Sequence, residues 1–231
     1  MCCSLQSNTL RKAQSQYLNI RLLVFTLLLY CAYPQLTQAS DSLPTMPSLE
    51  QLAEQYGPET RFTIMRKGKK IGTHILTFDK QDDSLRVNVE SNIRVTILKI
   101  PVFKFRYTAT EIWRDNQLSL VSATTVEDGK SKTVGFDAAL AEAPATFATN
   151  HWHRGVLSVN QIFNTITGDV SQVSLTEIGA ETFDNGSGTI EATRFRYSGD
   201  IEADVWYDNE GLWARLQFKG EDSSTIDYIR D

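Results

Sequence analysis

The sequence predicts an all-β fold with one short N-terminal helix: a strongly curved antiparallel meander that forms a half-barrel or open barrel. Three observations predict it. From residue 60 onward apolar and polar residues alternate with a period of two, most cleanly over 85–97. Turn chemistry rich in Gly, Asn and Asp recurs between the alternating runs. Helical spacing is clearest in one stretch near residue 50.

The N-terminal segment stands apart. Arg11, Lys12 and Arg21 precede the 12-residue apolar run Leu22–Tyr33, and Thr37 and Ala39 supply small residues at a cleavage site. This is the layout of a secretory signal, and the run is shorter than the ~20 residues of a membrane-spanning helix. Residues 1–39 are therefore expected to be a cleaved signal peptide, with an uncleaved anchor as the alternative, and the protein to be periplasmic or secreted. Cys2, Cys3 and Cys31 would leave with it. A mature chain without cysteine has no disulfide, thiol nucleophile or zinc-thiolate site. Cleavage also removes three basic residues and no acidic one, leaving 20 basic against 28 acidic residues. That balance disfavours nucleic acid and, on average, an anionic lipid surface.

Residues 40–59 read as a linker and capping helix. Ser48 and Gln51 have capping-box spacing, Leu49, Leu52, Ala53 and Tyr56 share a face, and Gly57-Pro58 ends the helix. Residues 60–231 read as the antiparallel β domain. In the first hairpin, with Lys67-Gly68-Lys69 as the loop, Ile64 faces Gly72; a glycine inside a strand implies close approach of another backbone, the helix or a ligand. Leu85, Val87, Val89, Ile93, Val95 and Ile97 line one face of the next strand, and Pro101 predicts a bend or bulge. Phe103, Phe105, Tyr107 and Ala109 continue one face through Trp113. Near the C-terminus, a three-residue Ser198-Gly199-Asp200 loop pairs Arg196 with Glu202 and Arg194 with Asp204. A loop over 208–211 then sets Trp206 against Trp213 on the outer face and Asp204 against Arg215.

Residues 137–150 read as an irregular loop, followed by a helical turn near 151–157 and a strand near 160–165. His151 and His153 flank Trp152. On an extended strand they would share a face, as two metal ligands do; the alternative is a polar loop whose imidazoles face solvent around a buried Trp152. Glu111 shares the apolar face of Phe103, Phe105, Tyr107 and Trp113. An unpaired carboxylate is costly there, so Glu111 is either a raised-pKa or ligand-orienting group, or a residue paired near the sheet end. No nucleophile elbow or phosphate loop occurs.

Certain stretches carry a family likeness: Gly68-Lys69-Lys70-Ile71-Gly72, Glu111 through Leu118, Thr124 through Gly129, Ala192 through Phe195 running on to Gly199-Asp200, and Trp206-Tyr207-Asp208 with Gly211 and Trp213. On these the chain resembles a family of uncharacterised exported proteobacterial proteins, a domain of unknown function. More distantly it is similar to the periplasmic lipoprotein carriers, a likeness that implies an unclosed barrel and an apolar or lipidated client. The expected function is a non-catalytic periplasmic protein, without a cofactor, that binds or carries an apolar ligand or lipidated partner in a curved sheet cavity. Phe103, Phe105 and Tyr107 would form the wall, Glu111 an orienting group and Trp152 a loop anchor at the mouth. The alternative is an envelope structural or interaction protein with a filled core; the third is a metal-dependent hydrolase using His151 and His153. The chain is expected to be monomeric, with no nucleic-acid partner and with peripheral membrane contact left open.

Overall fold

The computed structural model describes residues 47–98, 100–140 and 147–231. The expected signal peptide lies outside them, as does part of the expected 137–150 loop. Helix α1 (Leu49–Tyr56) begins at the expected capping box, with both reciprocal bonds between Ser48 and Gln51 formed. The strands are β1 (Glu59–Arg66), β2 (Lys69–Gln81), β3 (Ser84–Ile97), β4 (Ile100–Arg114), β5 (Gln117–Glu127), β6 (Lys130–Asp137), β7 (Gln161–Phe163), β8 (Val170–Asp184), β9 (Thr189–Gly199), β10 (Ala203–Asp208), β11 (Trp213–Lys219) and β12 (Thr225–Arg230).

Every strand pairs antiparallel with its neighbour in one 12-stranded sheet of order β6-β5-β4-β3-β2-β1-β12-β11-β10-β9-β8-β7. Two meanders, β1–β6 and β7–β12, are thus joined where β1 pairs β12. The sheet curls into a nearly closed barrel with one unsealed seam, between β6 and β7. The curl has local causes. Register breaks fall at Ile64/Met65, Val95/Thr96, Ile112/Trp113, Glu177/Gly179 and Trp206/Tyr207. Bulges of this kind bend a strand and increase its twist. The break at Thr96 lies opposite Pro101, where the sequence predicts one.

Gly72 pairs with Ile93 and Ile64, and a Cβ on it would collide with the carbonyl of Asn92. The close approach expected there is thus made by the backbone of β3. The N-terminal hairpin keeps the expected register, Thr63 opposite Thr73 and Ile64 opposite Gly72.

The C-terminal registers differ from expectation. Arg196 stands opposite Asp204, not Glu202, and Arg194 opposite Trp206. The pair next to the turn is Tyr197 with Ala203, so the loop between them holds five residues, 198–202, where three were expected; the slip is two residues, which leaves each side chain on its expected face. Asp204 therefore binds Arg194 and Arg196, at 2.6 and 2.8 Å, while Arg215 pairs with Asp227 at 2.7 Å. In the β10–β11 hairpin, Trp206 pairs Arg215 and Tyr207 pairs Trp213, with Ala214 as the extra residue. That bulge turns Trp213 inward against Phe62 and His74, whereas Trp206 stays outside beneath the guanidinium groups of Arg194 and Arg215.

Gly72→Ala is expected to destabilise the protein by at least ~1 kcal/mol, because backbone must shift to admit the methyl group. Gly188→Ala, where a Cβ meets open space, serves as control; urea unfolding midpoints of the two variants measure the difference.

Candidate functional site

Of the chain between β6 and β7, the stretch from residue 147 is buried inside the barrel, with Ala148, Asn150, His151, Trp152 and His153 all buried. A loop buried this way must find partners for its backbone, and the barrel wall supplies them. Tyr207 donates its hydroxyl hydrogen to the His151 carbonyl at 2.8 Å. Tyr56, the last residue of α1, donates to the Trp152 carbonyl at 2.7 Å and accepts from the Trp213 amide at 2.7 Å. Arg154–Ser158 then forms a 3-10 turn capped by His153, whose Nδ1 accepts from the Gly155 amide at 3.0 Å.

Glu111 lies at the centre, 1% exposed. Its Oε2 accepts from the indole nitrogens of Trp113 and Trp152, each at 2.8 Å, and its Oε1 from Asn150 Nδ2 at 2.5 Å. Asn150 Oδ1 in turn lies 2.8 Å from the Tyr107 hydroxyl, which is also 2.8 Å from Thr165 Oγ1. Burial pushes the Glu111 carboxyl above its ordinary range, and the three N–H donors oppose that shift. Three donors and no acceptor face it, an arrangement that suits a carboxylate.

Structure thus brings Tyr107, Glu111 and Trp152 together. Phe105 and Phe103 lie farther along β4, half-buried, their rings stacked at 6.4 Å. The alternative for Glu111, pairing with an Arg or a backbone amine near the sheet end, is corrected: it is buried and held by two indoles and a side-chain amide. Trp152 is not at the mouth but inside, edge-on to Trp113 at 5.2 Å and to Phe78 at 5.5 Å. The histidines do not face solvent. His151 adopts φ 59, which breaks the extended geometry that would align the pair. His151 meets Tyr197 and Trp213, whereas His153 stacks on Trp113 at 5.1 Å. His74 lies against the same Trp213, its Nδ1 2.5 Å from Ser91 Oγ. Among the described residues no three His, Cys, Asp or Glu side chains are placed to hold a metal.

Sequence reasoning missed Asn150, Tyr56 and Trp213 as partners of this cluster. Asn150 could have been noticed as an amide directly preceding the His-Trp-His run; Tyr56 and Trp213 carry no local signal beyond an apolar stripe.

The seam is the second feature. Among the described residues β6 is an end strand, with no strand paired on its outer side. Across it Phe136 meets Phe163 at 5.5 Å, and Lys132 donates to the Thr167 carbonyl at 2.8 Å. Residues 147–149 run beside β7, joined through Thr149 N to Phe163 O and Phe163 N to Phe147 O. An open groove of about 820 Å³ follows the seam; its seven apolar lining residues include Leu120, Val134, Phe136, Leu140, Phe163 and Val170. Leu120, Leu140 and Val170 are exposed.

The chain belongs to the family described as a domain of unknown function (DUF6134), whose model matches residues 62–231. No curated protein matches the chain.

Two outcomes follow from the interior cluster. Burial lowers the imidazoles from their ordinary 6.5, His74 to about 3 and His151 and His153 to about 4. Between pH 6.5 and about 4 the unfolded chain binds protons that the folded barrel excludes, so stability is complete above 6.5 and is lost as pH falls. Glu111, with its pKa raised, acts in the opposite sense above pH 4.5, but one carboxyl stands against three imidazoles. Each tenfold loss of proton affinity at an imidazole corresponds to ~1.4 kcal/mol, and the three imidazoles set the direction of the profile. Thermal midpoints followed by circular dichroism should fall steeply from pH 6.5 to 4, and His151→Asn should flatten the profile; a level wild-type profile would contradict this. Glu111→Ala leaves three buried donors unpaired and should cost roughly 3 kcal/mol or more. Glu111→Gln, which keeps one acceptor, should cost less in the same urea titration.

Proposed function

We propose that this family member is a non-catalytic exported binding protein that takes an apolar ligand, or the apolar moiety of a lipidated partner, along its open seam. The observation that carries this reading is the groove itself: seven apolar side chains along the seam where, among the described residues, the two ends of the sheet do not pair. Contiguous exposed apolar surface of this kind marks binding sites. The signal-like layout of residues 1–39 supports export to the periplasm or beyond. Of the expected wall residues, Tyr107 bonds to Asn150 and Thr165 of the chain's own 147–165 segment and Phe105 packs against the filled core, which favours the seam over the interior as the binding surface. That packed interior also favours a second reading, an envelope interaction protein with no small ligand.

Titration with the lipophilic dye N-phenyl-1-naphthylamine separates the two. Saturable fluorescence enhancement is expected, with affinity about tenfold weaker in Leu120→Glu/Val170→Glu, since each change removes apolar contact from a partly exposed site. No saturable signal from folded wild-type protein would sink the seam reading and leave the second one.

A further inference from the structure

The β3–β4 hairpin extends beyond the rest of the sheet. Pairing of β3 with β2 stops at Ile93 and pairing of β4 with β5 stops at Phe105, yet β3 and β4 remain paired to each other as far as Ile97 and Ile100. Residues 94–98 and 100–103 therefore form a two-stranded ribbon with no sheet neighbour among the described residues, rooted at Lys104, whose N–H and carbonyl bond to Asp128. Three features of this ribbon run against the needs of a water-exposed hairpin.

Its tip is apolar. Leu98 is 90% exposed, Ile100 65% and Val102 50%, and Pro101 is exposed between them. An isolated ribbon is marginal in water, and apolar residues at its end add nothing to its packing. Leu98 also adopts φ 50, a conformation that favours Gly or Asn. The other non-glycine residues at positive φ, among the described residues, are all polar: Lys67, Asp82, Asp115, Asn116, Asp128, His151 and Ser223. Leucine is thus kept where the backbone disfavours it and the core does not use it.

Charge is the third feature. Residues 91–110 hold four basic residues, Arg94, Lys99, Lys104 and Arg106, and no acidic one, in a chain whose net charge is −5. Arg94 and Lys104 stand directly opposite each other across the ribbon, a like-charge pair that destabilises a sheet unless an anion lies between or above it. Lys69 and Lys70 lie in the neighbouring hairpin, whose β2 strand joins β3 at Gly72 and Ile93.

We propose that the ribbon is a membrane-docking tip, which seats Leu98, Ile100 and Val102 in the interfacial layer of an anionic phospholipid bilayer while Arg94, Lys104 and Arg106 meet headgroup phosphates. The overall negative charge does not oppose this, because the ribbon presents its own field within a Debye length of the surface. A span of four to five residues at ~3.3 Å each reaches ~15 Å, enough to bury the tip to the ~5–10 Å depth of interfacial elements. The inference does not rest on the seam reading.

The test is flotation of the purified protein with vesicles of phosphatidylethanolamine and phosphatidylglycerol, against vesicles of phosphatidylcholine alone. Binding to the anionic vesicles is expected, weakened by salt and at least about tenfold weaker in Leu98→Asn/Ile100→Thr, which removes two apolar contacts. Asparagine suits the backbone at 98, so the variant should melt no lower than wild type and should still bind the naphthylamine dye. Leu120→Glu/Val170→Glu should conversely keep its vesicle binding. Folded wild-type protein that fails to float with anionic vesicles would overturn the proposal. So would equal binding by the ribbon variant, or a sedimentation-velocity dimer that Leu98→Asn/Ile100→Thr dissolves, which would make the tip a self-association surface.

Discussion

The carboxylate of Glu111 is the interaction on which the remaining interior depends. It is fully buried and has no cation beside it, so desolvation alone would expel it. Three N–H donors converge on it instead, one from its own strand through Trp113 and two from the crossing segment through Asn150 and Trp152. The bonds do more than satisfy a charge. They fix two indoles edge to face and lock the depth to which the segment enters. The tyrosines at positions 56 and 207 then take up the backbone carbonyls that water would bind elsewhere. Through Tyr56 the same cluster reaches α1, so the helix is tied to the crossing segment as well as to β11.

This arrangement redirects functional thinking from the inside of the barrel to its outside. A curved sheet with Phe103, Phe105 and Tyr107 on one strand suggests a ligand cavity, but much of that volume holds the chain's own Asn-His-Trp-His sequence. In the proposed reading, binding falls to the places where the described sheet is incomplete: the seam, where its two ends do not pair, and the ribbon, where two strands leave their neighbours behind. Both are interruptions of one 12-stranded sheet.

Much of the fold was legible because it obeys local rules. The capping box of α1, the period of β3 and the close approach at Gly72 need only neighbouring residues to be read. The C-terminal registers were not legible, since a slip of two residues returns every side chain to its expected face and leaves the alternation unchanged. Trp213 was misassigned for the complementary reason: the bulge at Ala214 reverses a face without any sign in the apolar pattern. In the candidate site, Glu111 announced itself as a charge on an apolar face, and that anomaly was real. His151 and His153 read as solvent-facing because their loop looks polar; their burial comes from an enclosure built by strands far away in sequence.

The junction of β1 with β12 has a temporal meaning. These strands lie more than 150 residues apart in the chain, as the pairing of Phe62 with Arg230 illustrates, and among the described residues they alone pair the two meanders into one sheet. The first meander can form hairpin by hairpin, but closure must wait for the last strand, and such long-range pairing is intrinsically slow. Until then β1 offers a free edge, with Phe62 and Ile64 uncovered on it, to any strand it meets. A protein that travels unfolded across a membrane would meet that interval after every translocation, and holding its chain apart from others during it is a task for the compartment in which it folds.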